Sequence, residues 1–188
     1  MGMTARVALV RHGRTALNAD GRLRGRLDPP LDDIGVDEAE AAARELARSR
    51  VTTIVSSPLV RARETAQAVA RTTGVPVEID PRLADRDYRE FAGARADDLV
   101  RDHGSLDAVP GIEPRIKVAA RALAALESHA RDDDGVLVIV SHDAVIGILL
   151  EELGVDPHRL AIPTGSITAL TRRDGRWSVQ HIGVTPGE

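Results

Sequence analysis

Residues 136–140 read Val-Leu-Val-Ile-Val and form the most hydrophobic strand-like stretch of the chain. Apolar and polar residues do not alternate in this stretch, which is typical of a strand in the middle of a sheet with both faces covered. Amphipathic helical patterns alternate with other strand-like runs along the sequence. We therefore predict an α/β fold with three layers, α/β/α, around a mostly parallel central sheet.

The predicted elements follow from hydrophobic periodicity and from turn residues. An Asp-Gly pair at residues 174–175 separates the last two strands and predicts a hairpin. Ser57 is predicted to cap the second helix, and Val36 and Ile116 are placed on the core-facing stripes of the first and third helices. Strands are predicted at 7–10, 52–56, 76–79, 136–140, 166–172 and 176–182, and helices at about 36–50, 58–73, 116–130 and 144–153.

The length of 188 residues allows one sizeable core and is short for two. We therefore expect a single domain over residues 1–188. Between about residues 82 and 114 the periodicity of helices and strands is lost. We interpret this segment as a lid or insertion over the functional site.

Composition excludes several classes of function. The chain has no cysteine, so disulfides, thiolate nucleophiles and cysteine-based zinc sites are ruled out. The net charge of −4 argues against nucleic-acid binding, for which a basic domain is expected. No apolar run approaches the ~20 residues of a membrane span, and the first residues lack a secretory apolar segment. We expect a cytoplasmic protein that does not contact a membrane.

Three of the predicted buried strands end in polar residues. Because the carboxyl ends of parallel strands share one edge, where ligands bind in open α/β sheets, we expect these residues to meet. Two of these ends also start helices, whose free N–H groups favour an anion. The residues are Arg11-His12-Gly13 after the first strand, Ser56-Ser57 with Arg61 after the second, and Ser141-His142 after the apolar strand.

The Arg11-His12-Gly13 triplet suggests phosphate chemistry. Arg11 offers a planar fork of N–H donors suited to a phosphate, and His12 offers a ring nitrogen that can act as a nucleophile near neutral pH. Gly13 would let the backbone pass close to a ligand. Our hypothesis is that His12 attacks phosphorus. The alternative is a histidine at a strand end whose hydrogen bonds serve the structure alone.

Helix geometry distinguishes the two arginines that follow the second strand. Arg61 and Arg63 are two residues apart, which is about 200° around a helix, so both cannot enter one pocket. Arg61 shares its face with Thr65 and lies nearer the anion-binding end of the helix. We predict that Arg61 points inward and that Arg63 points to solvent.

Five groups of residues, in order along most of the chain, together carry a family resemblance. They are Arg11-His12-Gly13-Arg14-Thr15 with Asn18, Gly21-Arg22-Leu23-Arg24-Gly25 with Asp28-Pro29-Pro30-Leu31 and Gly35, Ser56-Ser57-Pro58-Leu59 with Arg61-Ala62 and Thr65-Ala66, Arg82-Leu83 leading to Gly93, and Val140-Ser141-His142. The sequence resembles the histidine phosphatase superfamily, also called phosphoglycerate mutase-like. The resemblance implies the phosphoglycerate mutase-like version of the three-layer fold.

The resemblance also implies roles for individual residues. His12 would be the phosphorylated nucleophile, and Arg11, Arg61 and His142 would form the phosphate pocket. No metal ion and no other cofactor is implied, because fixed cations can stabilise a phosphoryl group in flight. The positions that match substrate-binding residues of the family are Arg11, Asn18, Arg24, Gly25, Arg61 and His142.

The leaving alkoxide needs a proton, which a carboxylic acid held partly neutral can give. The resemblance places the acid of the family at Asp85. Many members carry Glu at this position, and Asp is shorter by one methylene. Asp87 and Glu90 are the alternatives.

Other positions depart from the family pattern. Arg14 stands where Glu is common, and Arg89 and Asp143 stand where Gly is common. Asp143 could cap its helix or orient His142, and it brings an anion near the phosphate pocket. The remaining histidines show no metal-ligand spacing and are interpreted as surface or structural; they are His103, His129, His158 and His181.

The resulting prediction is a histidine-type phosphatase that hydrolyses a small phosphorylated substrate through a phosphohistidine on His12. One alternative is a cofactor-dependent phosphoglycerate mutase, which the short segment between residues 82 and 114 disfavours because a mutase must keep its intermediate from water. The other alternative is a catalytically weak module that binds phosphate or a phosphoprotein.

Overall fold

A computed structural model describes residues 4–187 of the chain. Its centre is one sheet of six strands. The strands are β1 (Thr4–Arg11), β2 (Val51–Ser56), β3 (Val77–Ile79), β4 (Val136–Ser141), β5 (Ile167–Arg173) and β6 (Arg176–Val184).

The strand order in the sheet is β3-β2-β4-β1-β5-β6. β3, β2, β4 and β1 run parallel to one another, whereas β5 is antiparallel to both β1 and β6. The prediction of a mostly parallel sheet with a closing hairpin is confirmed. β4, the apolar strand, lies between β2 and β1, as its lack of alternation indicates.

Six helices connect and flank these strands. Short 3₁₀ turns lie at Pro81–Leu83, Arg89–Phe91, Leu106–Ala108 and Pro157–Arg159. The helices are α1 (Ala16–Ala19), α2 (Asp33–Leu46), α3 (Val60–Thr73), α4 (Ala96–His103), α5 (Arg115–His129) and α6 (Asp143–Glu152).

Different helices cover the two faces of the sheet. Val7 and Leu9 of β1 belong to an apolar cluster with residues of α5 and α6. Ala8 and Val10 belong to a second cluster, with residues of α2 and α3. Because successive side chains of a strand point to opposite faces, the helices form two separate layers. The predicted α/β/α arrangement is confirmed.

Several local predictions are wrong. α3 begins at Val60, with Leu59 as its N-cap residue. The Ser57 hydroxyl contacts His142 and accepts from the Leu59 N–H, which precedes the helix, so Ser57 is not the cap residue. Val36 is 48% exposed and Ile116 is 70% exposed. The buried stripe of α5 passes through Val118, and a residue two positions earlier points to the opposite side of a helix.

The segment between residues 82 and 114 contains a helix that the sequence did not predict. Only Leu99 of α4 is buried, and a helix of eight residues with one buried side chain has no readable period. Leu99 belongs to a third, smaller apolar cluster. The other buried members of this cluster are Leu23, Tyr88, Val109 and Ile112. Within residues 4–187, no helix combines the length and the apolar character that a membrane crossing requires.

Candidate active site

The polar ends of β1, β2 and β4 meet at one edge of the sheet. Arg11 is paired with Ser141 in the β1–β4 register. The backbone N–H of His12 donates to the Ser141 carbonyl over 3.0 Å, and that of Ser57 donates to the Val140 carbonyl over 3.0 Å. The structure therefore brings together the three strand ends that the sequence singled out.

The ring of His12 is fully buried and held in one tautomer. Its Nδ1 lies 2.6 Å from the carbonyl oxygen of Gly13. A carbonyl can only accept, so Nδ1 carries the proton and Nε2 keeps its lone pair. Burial, followed by the charges of Arg61 and Arg11, holds the pKa of His12 well below its usual value. The ring is therefore neutral near pH 7, with Nε2 as its nucleophilic atom.

Gly13 lies against the backbone of Gly35. A Cβ on Gly13 would lie 2.2 Å from the carbonyl oxygen of Gly35, in the first turn of α2, and a Cβ on Gly35 would lie 2.0 Å from the Arg14 carbonyl oxygen. The two glycines thus allow two backbone segments to touch. Thr65 Oγ1 accepts a hydrogen bond from the Gly13 N–H over 3.0 Å, which ties this backbone to α3. This close approach is to protein backbone, and an approach of Gly13 to a ligand stays a prediction.

Arg61 lies at the centre of the site with its guanidinium fully buried. Its Nε lies 3.2 Å from His12 Nε2, and its Nη2 donates to Asp85 Oδ2 over 2.9 Å and to the Gly25 carbonyl over 3.1 Å. Arg63 is exposed. The predicted orientations of Arg61 and Arg63 are both confirmed.

Asp85 is 1% exposed. The guanidinium of Arg61 bridges its carboxylate and Nε2 of His12. Asp85 Oδ1 accepts from the Arg86 N–H over 2.8 Å. Burial, followed by the negative charge of Asp143, raises the pKa of Asp85 above its usual value, against the lowering effect of Arg61. A carboxyl group in these surroundings can hold a proton at a higher pH than an exposed one.

The backbone that carries Asp85 is fixed by an arginine that sequence reasoning missed. Arg121 of α5 donates to the carbonyl oxygens of Arg82, Ala84 and Asp85, over 2.6, 2.5 and 3.2 Å. Its charge is matched by Glu113, with Nε and Oε1 2.9 Å apart. No sequence pattern links residue 121 to residue 85, so no signal could have found this contact.

The two alternatives to Asp85 lie elsewhere. Asp87 is engaged with its neighbour Arg89, accepting from the Arg89 N–H over 2.9 Å and pairing with Nε at 3.2 Å. Glu90 is exposed, with its carboxylate beside Gly111. Arg89 itself has a φ of 52°, the left-handed region in which glycine is favoured. This conformation explains why glycine suits the position where this chain carries Arg89.

His142 is fully buried, and its ring lies 5.1 Å from that of His12 between centroids. Its Nε2 lies 2.8 Å from the hydroxyl oxygen of Ser57. Its Nδ1 is buried without a hydrogen-bond partner and lies 3.9 Å from Asp85 Oδ2. Burial, followed by the charge of Arg61, holds the pKa of His142 well below its usual value. A buried ring nitrogen without a partner is a contact available to a bound ligand.

Arg11 and Arg24 form a second cationic group at the same edge. Both pair with the carboxylate of Asp143, the first residue of α6: Oδ2 lies 3.2 Å from Arg11 Nη2, and Oδ1 lies 2.9 Å from Arg24 Nη2. The Nε atoms of both arginines are buried without a partner. All three residues line a cavity of about 480 Å³, which Tyr88 also lines. The sequence suggested that Asp143 caps its helix or orients His142, and it did not predict these ion pairs.

The remaining predicted residues have backbone roles or lie apart. Asn18 Oδ1 accepts from the N–H and the hydroxyl of Thr15, which fixes the turn after the Arg11-His12-Gly13 triplet. Gly25 has a φ of 51°, and its carbonyl accepts from Arg61. His129 pairs with Asp80, 3.0 Å away. Within residues 4–187, no group of three or more histidines and acidic residues is arranged to hold a metal ion.

The family model of the histidine phosphatase superfamily (branch 1) matches residues 7–185. The chain belongs to this superfamily. Its matches include a glucosyl-3-phosphoglycerate phosphatase of Mycolicibacterium vanbaalenii, 34% identical over 79% of this chain and 73% of that protein. They also include a probable phosphoglycerate mutase, GpmB, of Yersinia pestis, 31% identical over 91% of this chain and 86% of that protein.

Two solved structures have the same fold. A mycobacterial glucosyl-3-phosphoglycerate phosphatase in complex with VO₃ superposes with a TM-score of 0.84 at 29% identity, covering 96% of this chain and 99% of that one. A phosphoglycerate mutase from Bacillus anthracis superposes with a TM-score of 0.88 at 23% identity, covering 98% and 95%. The second match bears on the fold alone.

Proposed function

We propose that this chain is a metal-independent phosphomonoesterase that hydrolyses a small phosphorylated substrate through a phosphohistidine on His12. The observation that carries the proposal is the tautomer of His12. Its Nδ1–H is held by the Gly13 carbonyl, so the Nε2 lone pair faces the guanidinium of Arg61. A nucleophile and the cation that would hold its phosphate are thus adjacent.

The arrangement supports a two-step reaction. The Nε2 lone pair of His12 attacks phosphorus while the ester P–O bond breaks, and the electron pair leaves on the alcohol oxygen. Asp85 donates its proton to that oxygen. The Gly13 carbonyl stabilises the positive charge that the phosphorylated ring then carries on its Nδ1–H side.

In the second step, water attacks the phosphohistidine. The water gives a proton to the Asp85 carboxylate, the P–N bond breaks, and its electron pair returns to Nε2 of His12. Arg61, together with Arg11 and the free Nδ1 of His142, would surround the three phosphoryl oxygens in both steps. The superfamily membership and the phosphatase among the relatives support this reaction.

A phosphoglycerate mutase is the second candidate, because one relative that covers most of this chain carries that name. The two functions differ in what accepts the phosphoryl group, water or a second phosphoglycerate. A cytoplasmic location remains a prediction from the sequence, and so does the expectation that neither nucleic acid nor membranes are partners.

The test is a panel of phosphorylated metabolites assayed for phosphate release with the wild type, His12→Ala and His158→Ala. We expect His12→Ala to lose at least ~10³-fold in kcat/KM, because it lacks the nucleophile. His158 is exposed, so His158→Ala serves as the control. Equal turnover by the wild type and His12→Ala would overturn the proposal. An enolase-coupled assay with 3-phosphoglycerate would detect mutase activity. Phosphate binding without turnover would indicate a binding module.

A further inference from the structure

Asp143 places a carboxylate in the wall of the cavity beside His12. Its side chain is 38% exposed, whereas the side chains of its partners Arg11 and Arg24 are 14% and 10% exposed. The carboxylate is therefore in reach of a molecule in the cavity, and the two cations are largely covered.

The charges directly next to His12 are nearly balanced by the phosphate group of a substrate alone. Arg11, Arg24 and Arg61 carry three positive charges, and Asp143 removes one of them. With Asp85 protonated as a general acid, the site carries two positive charges. A phosphomonoester carries about 1.5 to 2 negative charges at neutral pH, so the phosphate alone balances the site.

The remainder of the cavity wall is mainly apolar and includes Leu23, Leu160 and Ile162. Arg22 also lines the cavity, but it is exposed, so solvent and salt screen its charge. Each oxygen of Asp143 accepts from one arginine, and a carboxylate has about four acceptor positions, so it can still accept from a hydroxyl group. A second carboxylate or phosphate in the cavity would face Asp143 and compete with it for Arg24.

We propose that Asp143 is a specificity-determining residue that selects phosphomonoesters with an uncharged, hydroxyl-bearing leaving group and rejects those whose leaving group carries a second anion. This inference rests on the proposed function and narrows it. It separates this chain from enzymes that act on carboxylated phosphates such as phosphoglycerates.

The test uses two substrates of equal length. Glycerol 3-phosphate and 3-phosphoglycerate differ in whether the far carbon is a hydroxymethyl group or a carboxylate. We expect the wild type to prefer glycerol 3-phosphate by at least about tenfold in kcat/KM. Asp143→Asn should reduce this preference by about tenfold, mainly because the carboxylated substrate then binds with a lower KM. Asp143→Gly is the second variant, and its preference for glycerol 3-phosphate over 3-phosphoglycerate should also be smaller than that of the wild type.

Glu40→Gln is the control, because it removes the same charge from a residue of α2 that pairs with Arg71 outside this cavity. Its preference should match that of the wild type. A wild type that favours 3-phosphoglycerate, or a preference that Asp143→Asn and Asp143→Gly leave unchanged, would overturn the inference.

Binding measurements test this inference independently of the proposed function. The dissociation constants of the same two phosphates are measured by calorimetry in the His12→Ala background, with Asp143 present and with Asn in its place. Loss of the tenfold preference in the Asn variant supports the role of Asp143 even if the wild type turns over no substrate. An unchanged preference contradicts that role even if the wild type is an active phosphatase.

Discussion

Arg61 Nη2 donates to Asp85 Oδ2 over 2.9 Å, and both side chains are buried. In the proposed function, the cation that would hold the phosphate is thus paired with the carboxylate that would protonate the leaving group. A bound phosphate would take over hydrogen bonds of Arg61. Asp85 would then lose the partner that lowers its pKa, and the phosphate's negative charge would favour its protonated form.

Asp85→Asn removes the proton donor and nearly preserves the shape of the side chain. We expect kcat for an alkyl phosphate to fall by about 10²- to 10⁴-fold, the usual range for general acid catalysis. The fall should be much smaller for p-nitrophenyl phosphate, whose leaving group barely needs a proton. Asp87→Asn is the matched control, since Asp87 pairs with Arg89, and both of its rates should stay near wild type. If Asp87→Asn slowed the alkyl phosphate and Asp85→Asn did not, Asp87 would be the general acid.

The pH profile of kcat/KM should be a bell on the acidic to neutral side. Activity needs neutral His12, and the pKa of His12 lies well below 6.5, so the acidic limb falls below that value. Activity also needs protonated Asp85, whose pKa is raised above 3.8, so the alkaline limb follows the loss of that proton. In Asp85→Asn the alkaline limb should disappear for p-nitrophenyl phosphate while the acidic limb stays. A flat profile from about pH 4 to 9 would contradict this assignment.

Arg121→Gln should impair catalysis through the position of Asp85. The guanidinium holds three carbonyls around this residue, so its loss would loosen the acid without touching the phosphate pocket. We expect kcat for an alkyl phosphate to fall about tenfold with KM nearly unchanged, since a small misplacement of a catalytic group costs this much or more.

The rate of Arg121→Gln with p-nitrophenyl phosphate is its internal control and should change little. Arg121→Lys keeps the charge beside Glu113 and should recover part of the rate with the alkyl phosphate. An equal loss on both substrates would mean that Arg121 supports the fold in general.

Gly35→Ala should destabilise the protein because its Cβ would meet the Arg14 carbonyl oxygen at 2.0 Å. Relief of this overlap must move the backbone beside His12, and we expect a loss of about 3 kcal/mol in the free energy of unfolding. Gly147→Ala is the control, since the nearest atoms to its Cβ would be 3.8 Å away within α6. That change should be neutral or stabilise by up to about 1 kcal/mol, measured by urea denaturation.

The sequence contained enough information to predict most of the fold and the centre of the site. Buried strands have a clear hydrophobic signature, and parallel strands must share an edge, so the meeting of His12, Arg61 and His142 followed from topology. The inward orientation of Arg61 followed from helix geometry.

What the sequence did not show depends on single contacts between distant parts of the chain. Asp143 and Arg24 are 119 residues apart, and Arg121 and Asp85 are 36 apart. Such pairs have no period and no fixed spacing, so hydrophobic patterns do not report them. α4 was missed for a related reason, since it packs against a small cluster through Leu99.

The position of β1 in the sheet has a consequence for how the protein is made. β1 leads directly into the Arg11-His12-Gly13 triplet, yet both of its neighbours, β4 and β5, come from residues 136–173. While the chain emerges from the ribosome, β1 lacks both of its partner strands until β4, at residues 136–141, has been synthesised. We expect enzymatic activity to appear only after release of nearly the full chain, with chaperones shielding the waiting segment until then.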